Sequence, residues 1–591
     1  MNLRAALRGA LCSTAFLALV AVPLHGETVP PARFEDAGRR AKLAAAFPEV
    51  EEIFAEAVEK QHMPGAAMGI VVDGELVFTK GLGVRDVAAN ASVDADTVFR
   101  IASMTKSFTA VAILKLRDEG KLGLDDPVSK YVPELASLAK ATGDASPLTI
   151  RHLLSHSEGF PEDNPWGDRQ LSVSDETFAR WLKAGIPFSN APGVAFEYSN
   201  TGFAILGRIV ARASGMRYRD YVDRNVLRPL GMTSTWWDTA SVPRDRLAKG
   251  YRREGDAWVE EPGLGDGAYG SMGGLYSTVR DLARYTSFFL SAWPPRDGPE
   301  TGPIRRSSAR EMQQVARFVG GAATRDTVES PLRMTAGGYD YGLGTSQTCR
   351  FRFVVSHAGG LPGYGSTMRW LPEHGVAIVA LGNLTYARWG SPANEMFEGL
   401  NRTGALKARV PQPSTALLSA QAGLNKLLLE TWSDAVADGL AADNLFLDTP
   451  KEKRKASFEE LRARHGACAF DGTIEAENAL RGAWKLACDR GSIRVEITLA
   501  PTMPPRVQHL ETTSALPLSE SLAFAADGLA TPAAWGPCRR GEVLRGGGET
   551  NAVVRFDCTR GRLDADLVFD KENSRLTSAK LSPAKGETCV P

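Results

Sequence analysis

The chain has 591 residues, longer than one hydrophobic core usually supports, and its 43% hydrophobic content is ample for several packed cores and excludes a disordered chain. Lys plus Arg and Asp plus Glu are equal at 69 each, so the summed charge gives no electrostatic reason to expect nucleic acid or an acidic membrane surface as partner.

The first 26 residues, with Arg4 and Arg8 ahead of the apolar stretch Ala10 to Val22, then Pro23 and Gly26, have the layout of a cleaved secretory signal. The apolar run is shorter than the roughly 20 residues a spanning helix needs, so a periplasmic or secreted location is expected. Glu51 to Lys60 reads as an amphipathic helix, and Gly65 to Lys80 as two apolar strands around the hairpin dipeptide Asp73-Gly74. Ser103 to Gly120 reads as a buried helix stopped by its glycine. From Leu124 to about Gly320 the pattern is mostly helix and loop. Short strands return at Phe351 to Ser356, Ser366 to Leu371 and Val376 to Leu381. Strands at both ends with helices between them predict one sheet assembled from both ends of a domain, with a helical lobe in the middle.

Val410-Pro411-Gln412-Pro413 reads as a linker. The expected division is a signal over 1–26, a main domain over 27–409, an α+β module over 410–510 and a β-rich module over 511–591. Of the six cysteines outside the signal, Cys468 and Cys488 have the same spacing as Cys538 and Cys558, and each second cysteine leads into an alternating strand. A repeated hairpin unit closed by its own disulfide is the simplest account. Cys349 and Cys589 are left over, and parity suggests that they pair. No metal-ligating pattern is present, and neither a metal nor another cofactor is expected.

The chemistry centres on Ser103-Met104-Thr105-Lys106. Residues three apart share a helix face, so Lys106 reaches the Ser103 hydroxyl, and a buried lysine that loses its charge can take the serine proton. Ser137 to Lys140 and Ser582 to Lys585 have the same spacing, but only Ser103 opens an apolar helix after a strand-rich segment. Tyr198, in Tyr198-Ser199-Asn200, can share the proton and pass it to a leaving group, and Asn200 can hold a substrate carbonyl or amide. His357-Ala358-Gly359-Gly360 follows a predicted strand, and its glycines let backbone N–H groups approach a substrate. His152 and His156 read as supports of the helical lobe.

Phe99 to Lys106, Leu153 to His156, Pro192 to Gly207 and Ser356 to Gly365, with Gly273 to Thr278 and Asp281 to Ala283, together resemble the serine β-lactamase-like, or penicillin-binding-protein-like, family of class C β-lactamases, D-alanyl-D-alanine carboxypeptidases, D-aminopeptidases and esterases. The resemblance runs from about Val50 to Gly399. It implies an α/β (α+β) fold with an antiparallel sheet flanked by helices plus a helical lobe, followed here by a smaller disulfide-containing α+β region. It also implies Ser103 as the acylated nucleophile, Lys106 and Tyr198 as proton-transfer groups, and Asn200, His357, Gly359 and Gly360 at the substrate, with the N–H groups of Ser103 and Gly360 as oxyanion hole. His357 stands where many members have a lysine that helps to bind the carboxylate of a β-lactam, and Arg402-Thr403-Gly404 lies too late to replace it.

The expected function is an exported serine hydrolase acting on a small-molecule or peptide substrate, in order of preference a D-amino-acid peptide, a small ester or a β-lactam. The alternative is a non-hydrolytic penicillin-binding-type receptor or cell-wall binding protein. Three roles are open to the tail: shaping the pocket, dimerising the chain or contacting a cell-wall polymer.

Overall fold

A computed structural model describes residues 30–296, 298–325 and 333–584. The expected signal over 1–26 and Cys589, with its pairing to Cys349, lie outside the described residues. Nine strands form one antiparallel sheet: β1 Gly65–Val72, β2 Glu75–Asp86, β3 Ala91–Ser92, β4 Arg317–Thr324, β5 Arg333–Tyr339, β6 Gly344–Thr348, β7 Val354–Leu361, β8 Tyr364–Leu371 and β9 Val376–Gly382. Their spatial order is β3-β2-β1-β9-β8-β7-β6-β5-β4. The join between the two halves is β1 against β9, from Ala66 opposite Gly382 to Val72 opposite Val376.

β1 and β9 are buried along their whole length because both faces of the sheet are covered. Met68, Ile70, Ile378 and Ala380 face a core shared with α1 (Phe47–Lys60) and α6 (Gly390–Arg402), while Ala67, Val71, Val379 and Leu381 face the larger core that holds the helical lobe. The period-two alternation of a strand is therefore hidden in a continuous apolar run. Asp73 and Gly74 both take positive φ, 53° and 84°, as a two-residue hairpin turn requires.

On the larger core lie α2 (Thr105–Asp118), α4 (Asn200–Ser214) and α5 (Val279–Ser291). Nearly every residue of α2 is buried, and Gly120, at φ 72°, follows its end. α3 (Asp175–Ala184) begins at Ser174, whose side chain accepts the Thr177 N–H.

After position 410 come two units of the same order. In the first, α7 (Thr415–Leu429) and α8 (Lys451–His465) cover a meander of β10 Cys468–Asn478, β11 Arg481–Cys488, β12 Ser492–Leu499 and β13 Val507–Ala515. In the second, α9 (Glu520–Asp527) covers β14 Cys538–Arg545, β15 Asn551–Cys558, β16 Gly561–Asp570 and β17 Arg575–Pro583. Each has its own apolar core. Cys468 lies directly opposite Cys488, and Cys538 opposite Cys558, and both pairs are disulfides with a sequence separation of 20. β13 continues through Ala515, past the expected division at 510.

Candidate active site

The polypeptide reaches Ser103 through a constrained turn. Ile101 N–H donates to the Leu275 carbonyl at 2.9 Å, and Ala102 takes φ 50°, a left-handed conformation that costs a residue with a Cβ about 1 kcal/mol or more. Ser103 then sits in a 3₁₀ turn, Ala102–Met104, immediately before α2, which places its side chain at the helix entrance with 8% of its surface exposed. The expected helix from Ser103 onward is thus a tight turn followed by a helix beginning at Thr105, because the left-handed Ala102 cannot continue a regular helix backward.

Lys106 is fully buried, and its Nζ has three oxygen partners: Ser103 Oγ at 3.1 Å, Asn200 Oδ1 at 2.7 Å and the Met272 carbonyl at 3.0 Å. Burial pulls the amine down to about 7, with the Asp168 and Asp163 carboxylates opposing. Three acceptors satisfy the ammonium's three N–H groups, and the same set fixes where the lone pair appears when one proton leaves. Asn200 Oδ1 and the Met272 carbonyl can only accept, so they keep the two remaining N–H bonds and the lone pair faces the Ser103 hydroxyl. Tyr198 lies with its ring 4.8 Å from Lys106 Nζ. Burial raises its phenol, with a hydrogen bond to Ser103 pulling the other way, so Tyr198 is a protonated phenol where Lys106 is a free amine.

Asn200 is the first residue of α4. Its N–H donates to Asp163 Oδ1 at 2.7 Å and that of Thr201 to Asp163 Oδ2 at 2.8 Å, so one carboxylate closes the helix N-terminus. The Asn200 amide then donates to Asn164 Oδ1 at 2.6 Å and to Asp168 Oδ1 at 3.4 Å, leaving its oxygen for Lys106.

His357, Ala358, Gly359 and Gly360 lie inside β7 rather than after a strand. The expected strand at Phe351 to Ser356 begins only at Val354, since the residues before it turn back on Thr348. β6 pairs with β7 only as far as Ser356, opposite Gly344, whereas β8 pairs with it through Leu361. From His357 onward, β7 is paired on one side, and these residues line a cavity of about 740 Å³ that also holds Ser103, Tyr198 and Asp168. A Cβ on Gly359 would stand 2.2 Å from the Ile101 carbonyl and 2.4 Å from Ser366 Oγ, so glycine is what lets the strand close on the turn that carries the nucleophile.

His357 Nδ1 lies 2.6 Å from the Ala358 carbonyl, which can only accept, so the ring proton is on Nδ1 and Nε2 accepts from the Tyr339 hydroxyl at 3.0 Å. Burial, with Lys106 adding to it, holds the imidazole down at about 3. His357 therefore presents a neutral ring, not a cation.

The structure thus brings Ser103, Tyr198, His357, Gly359 and Gly360 to one cavity, joins the buried Lys106 to Ser103 and Asn200 to Lys106 by hydrogen bonds, and leaves His152 outside, in a capping box with Thr149 at the start of a short helix. It adds Asp168, which no motif marked, and gives His156 a place beside Tyr198. Asp168 joins the Asn200 amide to the Tyr386 hydroxyl, 3.0 Å from its Oδ2, across the mouth of the cavity. His156 brackets Tyr198: its carbonyl accepts the Glu197 N–H at 2.8 Å, its Nδ1 accepts the Ser199 N–H at 3.1 Å, and its ring lies 4.3 Å from the tyrosine ring. Burial keeps His156 far below the usual histidine range, so it holds Tyr198 in place without titrating near neutrality.

A sheet built from both ends of the first domain, a helical lobe and a serine paired with a buried lysine define a class, and similarity to known proteins agrees with it. The family model described as Beta-lactamase matches residues 50–399, and the chain belongs to that family, whose members are largely serine hydrolases. Protein flp of Staphylococcus aureus strain NCTC 8325 is 30% identical over 345 residues, 57% of this chain and 63% of that protein. The chain therefore matches less than two thirds of the length of that relative. Beta-lactamase-like protein 2 of Dictyostelium discoideum is 34% identical over 261 residues, 43% of this chain and 47% of that protein. The octameric penicillin-binding protein homologue from Pyrococcus abyssi shares the fold at 21% identity with a TM-score of 0.50, covering 91% of this chain and 98% of that one.

Proposed function

We propose that the chain is an exported serine hydrolase that opens an ester or amide through an acyl-enzyme on Ser103. The observation that carries this reading is the Lys106 partner set, which directs a neutral amine's lone pair at Ser103 Oγ. Lys106 takes the hydroxyl proton as Ser103 Oγ bonds to the substrate carbonyl carbon. The N–H groups of Ser103 and Gly360 receive the oxyanion, each such donor contributing about 3 kcal/mol. Tyr198, which lines the cavity and hydrogen-bonds Ser103, gives its phenol proton to the leaving group and is reprotonated from Lys106. Water, deprotonated by the same amine, then attacks the acyl carbon, the Oγ–carbon bond breaks, and Ser103 regains its proton.

A neutral His357 leaves the β7 wall without the lysine cation that would favour a β-lactam carboxylate, which ranks D-amino-acid peptides and small esters ahead of β-lactams. Disulfides in the tail agree with export to an oxidising compartment, where contact with a cell-wall polymer becomes available to it. Incubation with a fluorophosphonate, and separately with a penicillin, followed by peptide mapping tests the assignment. A single fluorophosphonate adduct on Ser103, absent in Ser103→Ala together with ester hydrolysis, is expected. An unchanged rate in folded Ser103→Ala refutes it.

A further inference from the structure

The loop from Pro161 to Asp168 has a cavity on each side. Asn164, Pro165 and Asp168 line the catalytic one, whereas Pro161, Glu162, Asp163 and Trp166 line a second cavity of about 510 Å³. The far wall of the second cavity is α3, through Phe178, Trp181 and Leu182, and Tyr269 closes one side. Its aromatic rings touch one another: Trp166 and Trp181 have centroids 5.5 Å apart, and Phe178 and Tyr269 5.2 Å. Trp166 is nonetheless 51% exposed, so an indole stands at the entrance of an aromatic chamber instead of being packed away.

The charge of this cavity has one sign. Glu162 and Asp163 are its charged lining residues, and no lysine or arginine lines it. Asp163 is occupied by the N–H groups of Asn200 and Thr201 and by the Thr201 hydroxyl. Glu162 is exposed, and its carboxylate has no ion-pair partner among the described residues. Close by is Glu197, which accepts the Glu162 N–H at 2.9 Å and hydroxyl and amide protons from Ser189 and Asn190, with no cation in the group. An aromatic wall with electron-rich faces and a carboxylate rim without counter-charge is complementary to a cation carried on an apolar body.

We propose that this cavity is a second ligand site, separate from the catalytic one, that takes an organic cation with an aromatic or aliphatic body. The body lies against Trp166 and Trp181, and the ammonium faces Glu162. Because Asp163 is shared by the cavity wall and the first turn of α4, the site adjoins the support of Asn200 without touching Ser103.

Calorimetric titration of the full chain with benzyltrimethylammonium, benzyl alcohol and phenylacetate tests the assignment independently of hydrolysis. The cation is expected to bind roughly tenfold more tightly than the neutral alcohol, with phenylacetate weakest. Glu162→Gln, an exposed change, should weaken the cation several-fold and leave benzyl alcohol unaffected, and Trp166→Ala should weaken both. Phenylacetate binding as well as the cation would overturn the proposal, as would cation affinity that is the same in both variants as in the parent chain, which would put the ligand elsewhere. Detectable binding of none of the three probes at millimolar concentration overturns it as well.

Discussion

Activity is expected to rise through one ionisation centred near pH 7, where burial has brought the Lys106 amine. About a tenth of the amine is neutral at pH 6 and about nine-tenths at pH 8, so kcat/KM on a p-nitrophenyl ester should climb about tenfold from pH 6 to a plateau above pH 8. His357, held at about 3, and Tyr198, raised by burial, do not titrate in this window. Asp168→Asn tests the cause. The Asp168 carboxylate favours the ammonium form and is joined to it through Asn200, whose Oδ1 is 2.7 Å from Lys106 Nζ and whose Nδ2 is 3.4 Å from Asp168 Oδ1. The path through Asn200 sets about 8 Å as their greatest separation, at which two charges interact by about 2 kcal/mol at an effective dielectric of about 20. Burial raises the Asp168 carboxyl, and the Lys106 charge opposes that rise. Loss of the carboxylate makes the ammonium less favourable, so the acid limb moves to lower pH. A tenfold change in proton affinity would lift activity at pH 6 from about a tenth to about half of the variant's own plateau. Initial rates at constant ionic strength, normalised to each plateau, provide the readout. A parent profile still climbing at pH 9, or a variant limb moved to higher pH, refutes the lysine-base reasoning.

Gly359→Ala places a Cβ 2.2 Å from the Ile101 carbonyl and should cost about a hundredfold in kcat/KM through displacement of the Ser103 turn, with a cooperative thermal transition retained in calorimetry. His156→Ala removes the acceptor of the Ser199 N–H and the ring beside Tyr198. It should lower kcat far more than it alters KM and cost about 2–4 kcal/mol in urea unfolding, with His156→Asn recovering part of the rate. Reduction of the Cys468–Cys488 and Cys538–Cys558 disulfides should remove about 3 kcal/mol from each tail unit, seen as an earlier tail transition in differential scanning calorimetry, while ester hydrolysis continues at its unreduced rate.

The parts of the site that are local in sequence were legible. Ser103 and Lys106 are one turn apart, and the spacing of the tail cysteines, repeated with its flanks, marked both disulfides. The two-ended sheet was legible as well, because β1 and β9 are apolar runs bounded by turn residues. The HAGG segment was placed after a strand and not inside one because its small residues carry no strand signal, although its backbone pairs with β8 throughout. Asp168, Tyr386 and Tyr339 were not legible. Each acts through hydrogen bonds to residues from other segments, and an isolated acid or tyrosine leaves no periodicity that marks such bonds. His156 was assigned to support of the lobe, which is where it lies, but its hold on both sides of Tyr198 depends on a backbone course that spacing does not reveal.

The pairing of β1 with β9 also bears on the order of events during synthesis. The serine and its lysine emerge early from the ribosome, but β7, which closes on Ser103, and β9, which fills the sheet beside β1, come roughly 250 to 310 residues later. Contacts of such long range make folding slow, and in the half-made chain β1 can pair with β2 while its other edge waits for β9. No fragment that stops before β9 can assemble the catalytic cavity. The serine and lysine therefore stay without their cavity until most of the first 382 residues are available at once.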